Sequence, residues 1–373
     1  MPSTRSWVVA TITLAGSLLG GLHAQEAGAP KTAKSLMTGS EVYERGCASC
    51  HGPDGQGVPA AAGGPAVPDF TDCKFSSPEA DPDWHTVIEY GGPVRGFDRL
   101  MPSFRDALTS DEIDNVIGYL RGFCRDPRWP QGDLNLPRPL VTEKAYPENE
   151  VVVTTTYESA GGKAIGNSFI YERRVGARGQ YELVVPFDLQ KSDGGQWNRG
   201  LGDVAVAFKG VLFADAQAGS ILSAGGEITF PTGKESSGLG GGVTMLEPFV
   251  MFGQILPAEG FFQIQAGFER STNHDRADDE TFLRTAIGRS FEQPGGGRIW
   301  SPMIELVGAR DLGRGERTHW DTVPQLQITL NQRQHLVVNI GAQLPVTDRD
   351  GRNRKLLLYF LWDWFDGGLL EGW

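Results

Sequence analysis

The sequence predicts two domains of different class, an all-α domain over residues 36–125 and an all-β antiparallel domain over residues 150–373. Three observations carry this. Apolar residues recur at helical spacing up to residue 124, alternation with a period of two takes over after residue 150, and five prolines between 127 and 147 separate the two patterns. A chain of 373 residues is long enough for each domain to bury a core of its own.

Residues 1–24 have the order of a removable secretory signal. Arg5 precedes an apolar stretch from Trp7 to Leu22, and Leu22-His23-Ala24-Gln25 offers a small-residue cleavage step after Ala24. A retained anchor is the other reading, but it needs about 20 apolar residues, more than this stretch supplies. Residues 25–35 are rich in Ala, Gly and Pro without periodicity and predict a flexible lead-in. The formal charge of -12 argues against nucleic acid as a partner and leaves cationic redox partners and metal cations open.

Two capping boxes mark helix starts in the first domain. Thr38-Gly39-Ser40-Glu41 and Thr109-Ser110-Asp111-Glu112 each set a hydroxyl and a carboxylate three apart, where they satisfy orphan amides. The second opens a helix whose buried face carries Ile113, Val116, Ile117, Leu120 and Cys124.

Between these helices Cys47-Ala48-Ser49-Cys50-His51 is the attachment motif for a c-type haem. Two thiols one turn apart reach the vinyl groups, and the adjacent imidazole meets the iron. The same residues could be half of a zinc site or a redox dithiol. Zinc would want a second ligand pair at motif spacing, and the dithiol a βαβ setting; neither is present in the sequence. Met101, in Leu100-Met101-Pro102, is placed to be the sixth iron ligand, since the proline keeps it extended on a loop. It could instead fill a gap in the core, but no other Met lies between the motif and the last helix. His85 is the alternative ligand, although its setting at a helix start suits a capping or solvated role better.

Gly39, Tyr43, the Cys47–His51 motif with Gly52, the Met101-Pro102 pair and the final helix resemble a class I cytochrome c domain over residues 36–125. The resemblance implies first and last helices crossing beside one covalent haem c, with His51 and Met101 as axial ligands. It also implies a positive potential and electron transfer as the activity. Cys73 and Cys124 lie outside the haem motif. In an oxidising compartment they most simply form a disulfide, with buried free thiols as the other reading.

Residues 126–149 predict a stiff, extended, Pro-rich linker. Beyond it about twelve alternating segments follow. Leu336, Val338, Ile340, Ala342 and Leu344 oppose Asn339, Gly341 and Gln343, and Phe262, Ile264, Ala266 and Phe268 oppose Gln263, Gln265, Gly267 and Glu269. Period alone fits a transmembrane barrel with apolar residues outside or a soluble sandwich with them inside. Small and charged residues on the polar face, among them Asp203, Lys209, Glu227 and Glu269, suit a wet lumen. An aromatic last strand with Tyr359, Trp362 and Trp364 suits a barrel end.

Gly200-Leu201-Gly202-Asp203-Val204 and Ile228–Gly233 resemble outer-membrane transporter-like barrels. The eight residues after Phe365 depart from that pattern. The arrangement as a whole is similar to fused outer-membrane cytochrome-porins. This implies a barrel in outer-membrane lipid with the cytochrome on the periplasmic side, exchanging electrons with a periplasmic carrier. Metal ions such as ferrous iron, or small solutes, would be candidates for the barrel. Two other functions stay open: a transporter or porin that the cytochrome gates or anchors, and a soluble periplasmic cytochrome with a β-sandwich partner-binding domain. His274, His319 and His335 fall on separate segments, and no hydrolase constellation is visible.

Overall fold

The computed structural model describes residues 36–57, 67–158, 164–191, 195, 197–313, 315–349 and 352–364. The expected signal at 1–24, the lead-in at 25–35 and the tail after Trp364 lie outside the described residues.

In the helical domain α1 (Gly39–Val42), a π turn (Tyr43–Cys47) and α2 (Ala48–His51) run on from one another. α3 (Cys73–Ser76), α4 (Asp81–Tyr90) and α5 (Ser110–Arg121) follow. Both capping boxes form: Thr38 accepts from the amide of Glu41, and Thr109 from that of Glu112. α1 crosses α5 at Gly39, where a Cβ would stand 2.1 Å from the carbonyl oxygen of Asn115. Only a glycine lets the backbones approach so closely. Val42, Tyr43, Phe70, Trp84, Ile88, Ile113, Val116, Ile117 and Leu120 form the core. A disulfide joins Cys73 to Cys124 with Cα atoms 5.0 Å apart, tying α3 to the end of the last helix.

Among the described residues fourteen strands follow. They are β1 (Glu150–Glu158), β2 (Ala164–Val175), β3 (Gly179–Lys191), β4 (Trp197–Leu201), β5 (Val204–Asp215), β6 (Ser220–Phe230), β7 (Met245–Leu256), β8 (Gly260–Ser271), β9 (Glu280–Arg289), β10 (Phe291–Glu292), β11 (Ile299–Asp311), β12 (His319–Thr329), β13 (Leu336–Pro345) and β14 (Lys355–Asp363). β4 and β10 are short pieces off the ring. The other twelve pair antiparallel with their neighbours, and β1 closes on β14 from Glu150↔Asp363 to Glu158↔Lys355. A closed ring leaves no strand edge unpaired, as a lipid-spanning sheet requires.

The two faces settle the choice between barrel and sandwich. Val153, Phe169, Phe208, Ile228, Val250 and Phe360 point outward and are exposed, while Glu172, Gln180, Gln263, Gln265, Glu305 and Asn339 point inward and are buried. A soluble sandwich would reverse this. Apolar outside and polar inside is the pattern of a membrane barrel.

β1 begins and β14 ends at the same rim, with the short turns at residues 176–178, 216–219 and 257–259. The helical domain packs on that rim. Arg95, at the end of a short 3-10 turn (Gly92–Arg95), donates through Nε to Asp83 at 2.7 Å, through Nη2 to Glu292 at 2.5 Å and through Nη1 to the carbonyl of Gly296 at 2.7 Å. Gln332 donates to the carbonyl of Pro93 at 2.6 Å, and Arg333 lies over the ring of Phe97. The segment predicted as a stiff, extended linker carries a short 3-10 turn (Gly132–Leu134), and its second half enters the barrel and returns to the same rim to start β1. Leu134, Leu136, Arg138, Thr142, Lys144, Tyr146 and Glu148 are all buried there.

Candidate functional site

The attachment motif sits where the π turn passes into α2. Cys47 packs half-buried against the helical core, and Cys50 is exposed; both are free thiols, whereas the other two cysteines are bridged. Burial, with Cys50 as a smaller contribution, pushes the Cys47 thiol up to about 11. Such a thiol is a weak metal ligand and a poor redox nucleophile.

His51 ends α2, and Gly52 beyond it turns the chain away at φ 74°. The main-chain oxygen of His51 accepts from the amide of Gly57 at 2.9 Å, and the Tyr43 hydroxyl donates to the carbonyl of Gly52 at 2.6 Å. These bonds hold the motif's exit. The imidazole stacks on Phe70 with centroids 5.0 Å apart, and its Nδ1 is buried without a hydrogen-bond partner. Burial lowers the pKa of this ring, keeping it neutral. A neutral, desolvated imidazole beside two free thiols fits a haem iron and its two thioethers.

Met101 packs against the same core cluster that holds Phe70 and Cys47. The Met101 loop crosses the end of α4 at Gly91 and Gly92. The amide of Gly92 donates to the carbonyl of Met101 at 3.0 Å, and a Cβ on Gly91 would lie 3.1 Å from that same oxygen. The site is thus walled by Phe70, Trp84, Ile88 and Phe104, which would shield a haem from water.

His85 is held elsewhere. Its Nε2 bonds the Ser110 hydroxyl at 3.0 Å, and Glu89 lies 3.7 Å from its Nδ1. It joins α4 to the start of α5 at the surface. His274, His319 and His335 stay apart, beside Asp279, Asp348 and Asp363 respectively. Among the described residues no cluster of His, Cys, Asp and Glu forms a metal site.

Two features of this region escape sequence reasoning. Arg95 carries no local signal, because its partner Glu292 lies on the far side of the chain. The entry of residues 131–149 into the barrel does leave a trace. Gly132, Leu134, Leu136 and Arg138 are buried at every second position, a strand-like alternation hidden among prolines.

Fold and site together describe a helical domain that resembles cytochrome c, followed by a closed twelve-stranded barrel, apolar outside and polar inside. Residues 34–120 match the family described as cytochrome C oxidase, cbb3-type, subunit III, a match confined to the helical domain. No curated protein matches the sequence. Several solved structures are similar over part of this chain. An outer membrane channel from Pseudomonas putida F1 is 14% identical, with 61% of this chain and 100% of the channel covered and a TM-score of 0.45. The NanC porin is 11% identical, with 57% and 99% covered and a TM-score of 0.40. The β domain of the Bordetella autotransporter BrkA is 14% identical, with 59% and 100% covered and a TM-score of 0.39.

Proposed function

We propose that the protein is an electron carrier of the outer membrane. It holds one covalent haem c on Cys47 and Cys50, with His51 and Met101 as axial ligands, and exchanges electrons between a periplasmic carrier and a second donor or acceptor at the membrane. The observation that carries this reading is the motif itself: Cys47 and Met101 pack on one apolar core, and the His51 ring, stacked on Phe70 of that core, buries an Nδ1 with no hydrogen-bond partner. The haem supplies reversible one-electron chemistry, which needs no general acid or base from the protein. The chain's own residues supply ligation, exclusion of water and a fixed seat. Thioether ligation by Met101 favours a positive potential.

The seat is the rim contact through Arg95. An even-stranded barrel keeps both ends on the periplasmic side, so the cytochrome would face the periplasm. Cells expressing the protein with cytochrome c maturation test the reading. Haem-stained protein should stay with the outer membrane until detergent is added, and its reduced-minus-oxidised spectrum should be that of a low-spin c-type haem. Haem in the soluble periplasmic fraction, or no covalent haem at all, would overturn it.

A further inference from the structure

We infer that the barrel is a closed seat in the membrane and not a pore, because the chain's own segment 131–149 plugs its lumen. The inference concerns the barrel and its linker alone and does not depend on haem.

The plug is bonded to the wall around almost the whole ring. Arg138 Nη1 pairs with Glu150 of β1 at 2.7 Å and Glu172 of β2 at 2.5 Å. Lys144 pairs within the plug with Glu148 at 2.5 Å and reaches Glu150 of β1 at 3.5 Å, and its carbonyl accepts from Lys209 of β5 at 2.8 Å. Glu305 of β11 takes the amides of Leu140, Val141 and Thr142 and the Thr142 hydroxyl, at 2.6–3.1 Å. The carbonyl of Arg138 accepts from Tyr359 of β14 at 2.6 Å and from Asn339 of β13 at 3.3 Å. Gln180 of β3, Ser223 of β6, Gln263 and Gln265 of β8 and Gln325 of β12 bond further backbone groups of the segment. Pro137, Pro139 and Pro147 reduce what must be satisfied, since proline brings no amide donor.

Nothing wet remains at the level of these contacts. In an open lumen of this width inward side chains would line water. Ser223, Gln265, Glu305 and Asn339, spread around the wall, are instead 0% exposed. Toward the rim the packing turns apolar: Leu134 and Tyr146 of the plug share a core with Ile221, Phe249 and Met251, and Leu136 packs on Phe261 and Met303. The wall is shaped to receive it. A Cβ at Gly341 would lie 2.6 Å from Leu140 Cδ1, and one at Gly253 would lie 3.0 Å from Leu136 Cδ1. A transporter would have to expel this segment, taking Arg138 from Glu150 and Glu172 and the Thr142 hydroxyl and three amides from Glu305, which is costly for buried carboxylates.

Full-length protein with its haem, purified in detergent and inserted into planar lipid bilayers, tests this, with insertion checked by the shift in gel mobility on heating. The wild type should show no stepwise ion current above the bare bilayer. The double variant R138A/K144A, which loosens the plug, should raise the current at least about tenfold. Stable open-pore steps from the wild type would overturn the seal, and that arm decides the matter even if the variant does not fold. Silence from a folded, inserted R138A/K144A would overturn the role of these ion pairs in holding the plug.

Discussion

Arg95 and Glu292 stand 197 positions apart in the chain, and the guanidinium Nη2 of one lies 2.5 Å from the carboxylate of the other. Arg95 is 3% exposed, and Asp83 and Glu292 are each about a quarter exposed. The contact is therefore a charged peg closed in by the two domains and not a surface ion pair.

Replacing Arg95 by Ala should loosen the cytochrome on its rim by about 3 kcal/mol, the lower end for a broken buried pair, because both carboxylates can still reach water. Tryptic cleavage at Arg125 or Arg128 should speed up with the haem spectrum unchanged. Lys at 95 should fall between, since it keeps the charge but loses the fork that serves three acceptors. An unchanged cleavage rate in both variants would show that the rim contact does not depend on this residue.

Met101→His should leave the haem covalently attached and lower its midpoint potential. The drop should be on the order of 0.1 V or more, within the roughly 0.8 V that axial ligands span. Spectroelectrochemical titration reads this directly, and an unmoved potential would remove Met101 from the iron.

The Cys73–Cys124 disulfide closes a loop with a sequence separation of 51, worth about 4 kcal/mol by loop-closure entropy. The C73S/C124S variant should lower the denaturation midpoint of the haem absorbance by the equivalent of about 2–4 kcal/mol. The barrel's heat-dependent gel mobility should stay the same, since the bridge lies wholly in the helical domain.

The ring of His51 is neutral in the folded chain because burial lowers its pKa below the ordinary 6.5. In the haem-free C47A/C50A variant, the unfolded chain takes up a proton below about pH 6.5 that the folded domain refuses, so stability falls as the pH drops. With haem covalently attached, iron holds the imidazole in the folded and the unfolded chain alike, so neither takes up the proton and this dependence should vanish. Urea unfolding of the helical domain at pH 7.5 and pH 5.5, with and without haem, measures the difference.

Much of this was legible locally. The capping boxes at Thr38 and Thr109 name their partners three residues away, and the Gln263 and Gln265 alternation tells which residues share a face. Which face points outward was not legible from the period, because a sandwich and a barrel write the same pattern; closure of β1 on β14, with the apolar side chains exposed on the outside of the ring, decides it. Arg95 was invisible for a related reason: a partner beyond the next element leaves no periodic mark. The prolines of 127–147 predict a stiff chain, but stiffness does not say where the chain runs. Only the acceptors and donors of ten different strands do.

The charges inside the barrel bear on how the two halves can be recombined. Glu150 and Glu172 belong to the wall, yet the cation between them, Arg138, belongs to the plug, and the carbonyl that receives Lys209 does too. A barrel begun at Glu150 would thus inherit Glu150 and Glu172 without Arg138, Lys209 without its acceptor, and Leu-shaped hollows at Gly253 and Gly341 with nothing in them. The portable module starts near Gln131, and any other domain grafted onto this barrel has to bring residues 131–149 along.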